Sequence, residues 1–329
     1  MGDPAGIGLE IALKAWMARA REQLPPFALI GDPAALKRAC ARLNNDAAIA
    51  TISTLRETGA AFADALPVIA LDLAEAETLG APAPANARAI IEAIKQGVEF
   101  CLSGDAGALV TLPIAKAPLQ AAGFGFPGHT EFIAHLTRDV RLDGPGGPLM
   151  MLACARLRVA LVTIHHPLSS VAGLITRERI MHCARVLAAA LRTDFAIPDP
   201  RIALAALNPH AGESGMMGRE EIDILNPAAE ALRAEGIAIT NAMPSDTMFH
   251  PEARARYDCA LCLYHDQALI PLKTIDFWGG VNITLGLPIV RTSPDHGAGF
   301  DIAGQNKANP QSFINALKAA RAMADARAS

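Results

Sequence analysis

Short apolar runs alternate with stretches of helical spacing along nearly the whole chain, and few folds accept that alternation. Runs at 27–30, 67–71 and 108–111 are bounded by turn residues, and others lie at 149–152, 157–163, 201–206 and 259–264. Between the second and third, Ile90, Ile91, Ile94, Val98 and Cys101 recur on one helical face. Asn86 is placed to cap that helix and Gly104 to stop it. From Pro310 onward, Phe313, Leu317, Ala320 and Met323 mark an amphipathic helix. Strand and helix in turn predict a mostly parallel sheet wrapped by helices. The length of 329 residues, 51% hydrophobic, exceeds what one core usually holds, so two domains are expected.

A formal charge of −4 gives no general affinity for nucleic acid or acidic membranes, so any anionic ligand must be gripped by a few placed residues. Cys40, Cys101, Cys154, Cys183, Cys259 and Cys262 show no disulfide framework, which fits a reducing compartment. Cys259 and Cys262 form a CxxC within a strand-like run. Residues three apart on a strand face opposite ways, so no metal or redox role is expected. No transmembrane run and no signal peptide is visible, and a soluble, cytoplasmic protein is expected. Met1 leads straight into Gly-Asp-Pro-Ala-Gly-Ile-Gly, a loop that should follow a strand. The first strand is therefore expected to be missing, through a late start or a trimmed chain.

Three histidines share one placement. His165, His210 and His265 each lie just past the C-terminal end of an apolar run, the edge where ligands collect in open α/β sheets. Converging neutral imidazoles would suit Zn²⁺ or a similar ion, although each histidine alone could equally be a loop residue bonded to backbone. His166 is the neighbour to set aside, since only one of the adjacent pair need face the site. A second group suits a phosphorylated substrate. Gly128-His129-Thr130-Glu131-Phe132 reads as a turn feeding a helix, whose free N–H groups attract anions. Lys273, Asn282 and Arg291 follow His265 at short intervals; the two cations could hold phosphate and carboxylate, or could be solvated surface charges.

No GxGxxG follows a strand. Instead Asp295-His296-Gly297-Ala298-Gly299-Phe300-Asp301, continued by Lys307-Ala308-Asn309-Pro310, resembles the adenosine-binding loop of isocitrate and isopropylmalate dehydrogenases. The early glycine-rich motif of those enzymes is echoed by residues 2–10.

Seven motifs in order carry a more specific resemblance over almost the whole chain. They are Gly-Asp-Pro-Ala-Gly-Ile-Gly at 2–8, Pro-Ile-Ala-Lys at 113–116, Gly-His-Thr-Glu-Phe at 128–132 and Leu-Asn-Pro-His-Ala-Gly-Glu at 207–213. Pro-Ser-Asp-Thr at 244–247, Tyr-His-Asp-Gln at 264–267 and Gly-Val-Asn-Ile-Thr-Leu-Gly-Leu-Pro at 280–288 complete the set. With them the chain resembles the 4-hydroxythreonine-4-phosphate dehydrogenase (PdxA) family of pyridoxal phosphate biosynthesis.

The resemblance implies metal ligands at His165, His210 and His265, and substrate contacts at His129, Thr130, Lys273, Asn282 and Arg291. It implies NAD or NADP held by Asp295, His296, Gly297 and Asp301, a divalent ion (zinc, magnesium or cobalt), and a homodimer with its site shared between subunits. The implied architecture is two α/β/α lobes with a cleft between them, as in isocitrate and isopropylmalate dehydrogenases. Residues 1–128 with 295–329 form the cofactor lobe, and 129–294 the metal, substrate and dimer lobe. Asp246 and Asp266 are candidate bases, each also readable as support for an imidazole. Departures at Leu112, His166, Asn241-Ala242-Met243 and Ala298-Gly299 remove no expected ligand. Three other activities remain open: a threonate or erythronate 4-phosphate dehydrogenase, a metal-dependent lyase or isomerase, and a non-catalytic phospho-ligand binder.

Overall fold

Where the sequence alternates apolar runs with helical spacing, the computed structural model, describing Met1–Ser329, places strands and helices in turn. The chain divides into two units: Met1–Val140 with Pro288–Ala324, and Arg141–Leu287 with Asp325–Ser329. The α/β class expected from sequence is what forms.

In the first unit, β1 (Leu29–Gly31), β2 (Ile49–Ile52) and β3 (Leu66–Ala70) make a parallel sheet in the order β1-β3-β2. A short strand β4 (Leu109–Val110) follows. The second unit contributes β5 (Leu149–Cys154), β6 (Leu157–Leu161), β7 (Arg201–Leu204), β8 (Ala238–Ile239), β9 (Cys259–Cys262) and β10 (Val281–Leu285). These run in the order β10-β5-β6-β9-β7-β8. β5 is antiparallel to both its neighbours here, because it joins β6 through a tight hairpin; β6, β9, β7 and β8 are parallel. The chain then returns to the first unit for β11 (Arg291–Pro294), parallel to β4.

Each unit has its own core. In the first, the helix Gly8–Met17 buries Leu9, Ile11, Leu13 and Trp16, packed with Leu36, Leu66, Val68 and, from the closing helix Gln311–Ala328, Phe313 and Leu317. The Trp16 indole N–H donates to the Phe62 carbonyl at 3.0 Å, so this large side chain is buried with its polar atom satisfied. In the second, Leu152, Val159, Ala203, Ala260 and Cys262 pack against Ala268 and Leu272 of the helix His265–Ile275. Both cysteines of the CxxC lie buried on β9, and burial pushes the Cys259 thiol up to about 12 and Cys262 well above its ordinary range. Neither is a reactive thiolate.

Two local expectations are refined. Gly104 ends the helix Ala87–Ser103 as expected, at φ 82° with its N–H on the Cys101 carbonyl. Asn86 precedes that helix but does not cap it. Its amide is spent on Glu75 instead, accepting from the N–H at 3.2 Å and donating to the carbonyl at 3.1 Å. The unit boundaries also fall elsewhere than the sequence suggested, after 140 and 287 rather than 128 and 294. The helix His129–Leu136 is tied into the first unit by Phe132, whose ring lies 5.0 Å from Phe124 and 5.1 Å from Phe126. Arg291 goes there because β11 pairs with β4.

Candidate functional site

Because β6, β9 and β7 are parallel neighbours, their C-terminal ends share one edge of the second unit. His165 lies four residues past β6, and His265 opens the helix that follows β9 directly. Thr163 ties the two segments, donating to the Leu263 carbonyl from its N–H at 3.1 Å and its hydroxyl at 2.6 Å. The rings of His165 and His265 come to 5.8 Å between centroids. Two imidazoles bound to one ion at about 2 Å from each ligating nitrogen have centroids about 5 Å apart, so this pair is close to a chelating separation. The His265 Nδ1 is 2.7 Å from Asp266 Oδ1. A carboxylate on Nδ1 holds the proton there and leaves Nε2 as the metal-binding lone pair.

His210 does not join them. It sits on the exposed turn Pro209–Gly215 beyond β7, and no group of three His, Cys, Asp or Glu side chains in the single chain is arranged to hold a metal ion. The sequence placed three imidazoles on one edge; the structure pairs two.

One residue organising this edge escaped the sequence reading. Gln267, buried, accepts from the Leu263 N–H at 2.7 Å and donates to the Ala206 carbonyl at 2.6 Å and the Ser245 hydroxyl at 2.7 Å. It joins the ends of β9 and β7 to the turn Ser245–Thr247, the segments leading to His265, His210 and Asp246. Asp246 itself is exposed. With Asp266, Phe249, Tyr264 and Ile270 it lines an open pocket of about 430 Å³. Lys273 lies two turns beyond His265, its Nζ 5.3 Å from the Phe277 ring centroid. Asn282, on β10, is half-buried, and its Oδ1 is enclosed without a hydrogen bond. A buried acceptor in that state is suited to a ligand donor.

The first unit holds the other anion-seeking residues. Gly128 is the N-cap of the helix His129–Leu136, so His129 and Thr130 occupy its first turn. Arg291 is 3% exposed, and its Nη2 donates to the Thr111 hydroxyl at 2.7 Å. Burial lowers the guanidinium to about 10, against the opposing pull of the Glu131 carboxylate; it remains charged at neutral pH. His129 is held well below its ordinary value, first by burial, then by the positive charge of Arg291. The corner therefore offers one fixed cation beside a neutral imidazole.

The 295–304 loop follows β11. Asp295 accepts the role of a loop anchor through its N–H, which donates to the Ser312 hydroxyl at 2.9 Å. His296, Gly297 and Asp301 are exposed. The glycine-rich segment 2–8 docks onto this loop: the Ile7 N–H donates to the Ala298 carbonyl at 2.9 Å. Gly6 is required there, since a Cβ would stand 2.5 Å from that carbonyl oxygen. Farther along, Glu10 accepts from the Ala308 N–H at 2.9 Å while Lys14 donates to the Ala308 and Asn306 carbonyls at 2.8 and 3.1 Å. The first helix thus clamps both ends of the 298–308 stretch.

Comparison with known proteins gives this arrangement a family. The chain matches the pyridoxal phosphate biosynthetic protein PdxA over residues 23–320. It belongs to the PdxA family. Relatives named 4-hydroxythreonine-4-phosphate dehydrogenase include those of Caulobacter vibrioides, 54% identical over 99% of this chain and 96% of the relative, and Maricaulis maris, 55% identical over 100% and 97%. The crystal structure of the Klebsiella pneumoniae 4-hydroxythreonine-4-phosphate dehydrogenase aligns with a TM-score of 0.86 at 35% identity, covering 98% of each chain. A terephthalate 1,2-cis-dihydrodiol dehydrogenase from Burkholderia xenovorans aligns at 0.63 and 26% identity over 97% and 95%. PdxA membership agrees with the resemblance drawn from the seven motifs. No helix of this family member is long and apolar enough to cross a membrane.

Proposed function

We propose that this chain is a 4-hydroxythreonine-4-phosphate dehydrogenase. It would oxidise the C3 alcohol of its substrate with NAD or NADP and a divalent ion. The resulting 3-oxo acid loses its carboxylate and leaves 3-amino-2-oxopropyl phosphate, a precursor of pyridoxal phosphate. The observation that carries this reading is the His165–His265 pair, at 5.8 Å, on the same sheet edge in a PdxA-family chain.

The donor set fits a metal. Imidazoles suit zinc or cobalt better than magnesium, which favours oxygen ligands. His165 and His265 would hold the ion, and His210 of a second copy would complete the set in a homodimer. The exposed apolar side chains of the second unit, Leu168, Met216, Ile270 and Trp278 among them, suit burial against such a copy. A bound divalent ion supplies Lewis acidity that lowers the pKa of a ligated alcohol.

This chain's own groups then divide the work. Asp266 keeps the His265 proton on Nδ1. Asp246, which lines the neighbouring pocket with Asp266, would serve as the base that takes the proton of the substrate alcohol, with Asp266 the other candidate. Lys273 and Arg291 would grip phosphate and carboxylate, groups remote from the bond being oxidised, so their binding energy serves orientation. His129 and Thr130 would present the first turn of their helix to the anion, and Asn282 Oδ1 would accept from the substrate. Asp295, His296, Gly297 and Asp301 would face the dinucleotide.

The test is direct. With the phosphorylated hydroxythreonine, NAD or NADP and Zn²⁺ or Co²⁺, purified protein should form reduced cofactor and 3-amino-2-oxopropyl phosphate. Reduction seen only with threonate or erythronate 4-phosphate would transfer the assignment to that activity. No reduction with any four-carbon phosphate would favour a lyase.

The clamp on the cofactor loop yields a separate expectation. Lys14→Ala removes two bonds to the 306–308 backbone. It should raise the KM for the dinucleotide several-fold and leave the KM for the phosphorylated substrate unchanged, as initial-rate kinetics with each substrate varied would record.

A further inference from the structure

The turn that carries His210 is built in an uncommon way. Five consecutive residues are left-handed: His210 at φ 52°, Ala211 at 51°, Gly212 at 77°, Glu213 at 41° and Ser214 at 57°. Only Gly212, which has no Cβ, accepts this freely; L-residues visit the region singly, not in runs. Such a turn persists where its surroundings over-determine it.

The surroundings converge on one buried carboxylate. Glu221 is 1% exposed, and its Oε1 accepts from the Leu207 and Asn208 N–H groups, both at 2.8 Å. Its Oε2 accepts from the Asn208 amide at 3.0 Å, and that amide also donates to Glu220 at 2.6 Å. The same oxygen lies under the middle of the turn: a Cβ on Gly212 would stand 2.7 Å from Glu221 Oε2 and 2.8 Å from the Gly218 carbonyl oxygen. Glu221 therefore fixes the chain's entry into the turn and props its centre. It opens a π-helical turn, Glu221–Leu225, a geometry frequent at functional sites.

We propose that Glu221 is the positioning residue of His210: its buried carboxylate holds the left-handed turn that presents the imidazole outward to a divalent ion. The proposal rests on His210 being a metal ligand, as argued under Proposed function. Glu221 touches neither substrate nor ion, and acts through the backbone at 207–212.

The test uses the full-length protein stripped of metal and titrated with Co²⁺, read by visible absorption and by hydrogen exchange. Glu221→Gln should weaken Co²⁺ binding about 10- to 100-fold, the range typical of residues that orient a ligand. Amides of residues 207–217 should exchange faster. In the double variant with His210→Ala, the loss should not exceed that of His210→Ala alone, because both changes remove the same interaction. Asn208→Ala, which keeps the two backbone bonds to Glu221, should give a smaller loss in the same direction and serves if Glu221→Gln does not fold. If His210→Ala leaves Co²⁺ affinity unchanged, the ligand reading falls and the proposal with it. If His210→Ala weakens binding but neither Glu221→Gln nor Asn208→Ala does, the proposal alone is wrong.

Discussion

Replacing His265 with alanine is expected to strip the metal and lower kcat/KM by about three orders of magnitude, or about 4 kcal/mol of transition-state stabilisation. The size follows from position. His265 is the first residue of its helix, so its backbone is fixed by β9 behind it and by the helix ahead. Its ring is oriented by Asp266 at 2.7 Å and paired with His165 at 5.8 Å. Asp266→Asn should cost less, about 10- to 100-fold in metal affinity, because it disturbs the tautomer without removing a ligand. Metal content by elemental analysis, alongside steady-state kinetics, checks both. A His265→Ala protein that keeps stoichiometric metal and full activity would refute the assignment.

These residues were legible in the sequence for a reason that did not extend to their supports. A histidine just past an apolar run is a local pattern, and β6, β9 and β7 carried theirs to one edge because parallel neighbours end on the same side. Gln267 and Glu221 act over chain separations that no local pattern reports. Gln267 bonds Ala206, 61 positions away, and Glu221 reaches back 13 and 14 positions to Asn208 and Leu207. The left-handed turn at 210–214 is hidden because four of its five residues are not glycine, and Gly212 alone does not announce it.

Other differences from the local patterns have their causes in specific contacts. The spacing of Phe124, Phe126 and Phe132 forms an aromatic cluster within the first unit, and it draws the helix His129–Leu136 there rather than beyond a boundary at 128. Asn86 has the residue type of a cap, but its amide finds both a donor and an acceptor in the backbone of Glu75. The glycines at 2–8 echo the early motif of isocitrate and isopropylmalate dehydrogenases. Gly6 permits close contact with Ala298, so the motif shapes the 295–304 loop from behind.

Arg291→Lys is the second large effect, and its signature lies in the pH profile. Burial, partly offset by the Glu131 carboxylate, brings the guanidinium down to about 10, about 2.5 below its ordinary 12.5, which corresponds to about 3 kcal/mol spent keeping the charge in place. A bound anion would offset that cost. Lysine starts near 10.4, so a comparable burial penalty would bring it to about 8, and it lacks the fork that can hold a carboxylate or phosphate at two points. Deprotonation removes the positive charge, so anion binding by the variant should fade as pH rises through about 8, whereas the parent protein holds its charge to about 10. His129 cannot compensate: with its pKa held well below the ordinary value, it stays neutral above pH 7. The same depression makes unfolded protein take up a proton first as pH falls below the unfolded value near 6.5, so stability drops on acidification and is fully present above it. At pH 7, kcat/KM of Arg291→Lys should fall about 100-fold, carried mainly by KM, and the deficit should widen above pH 8. A variant whose KM matches the parent from pH 7 to 9 would show that Arg291 does not bind the substrate's anionic groups.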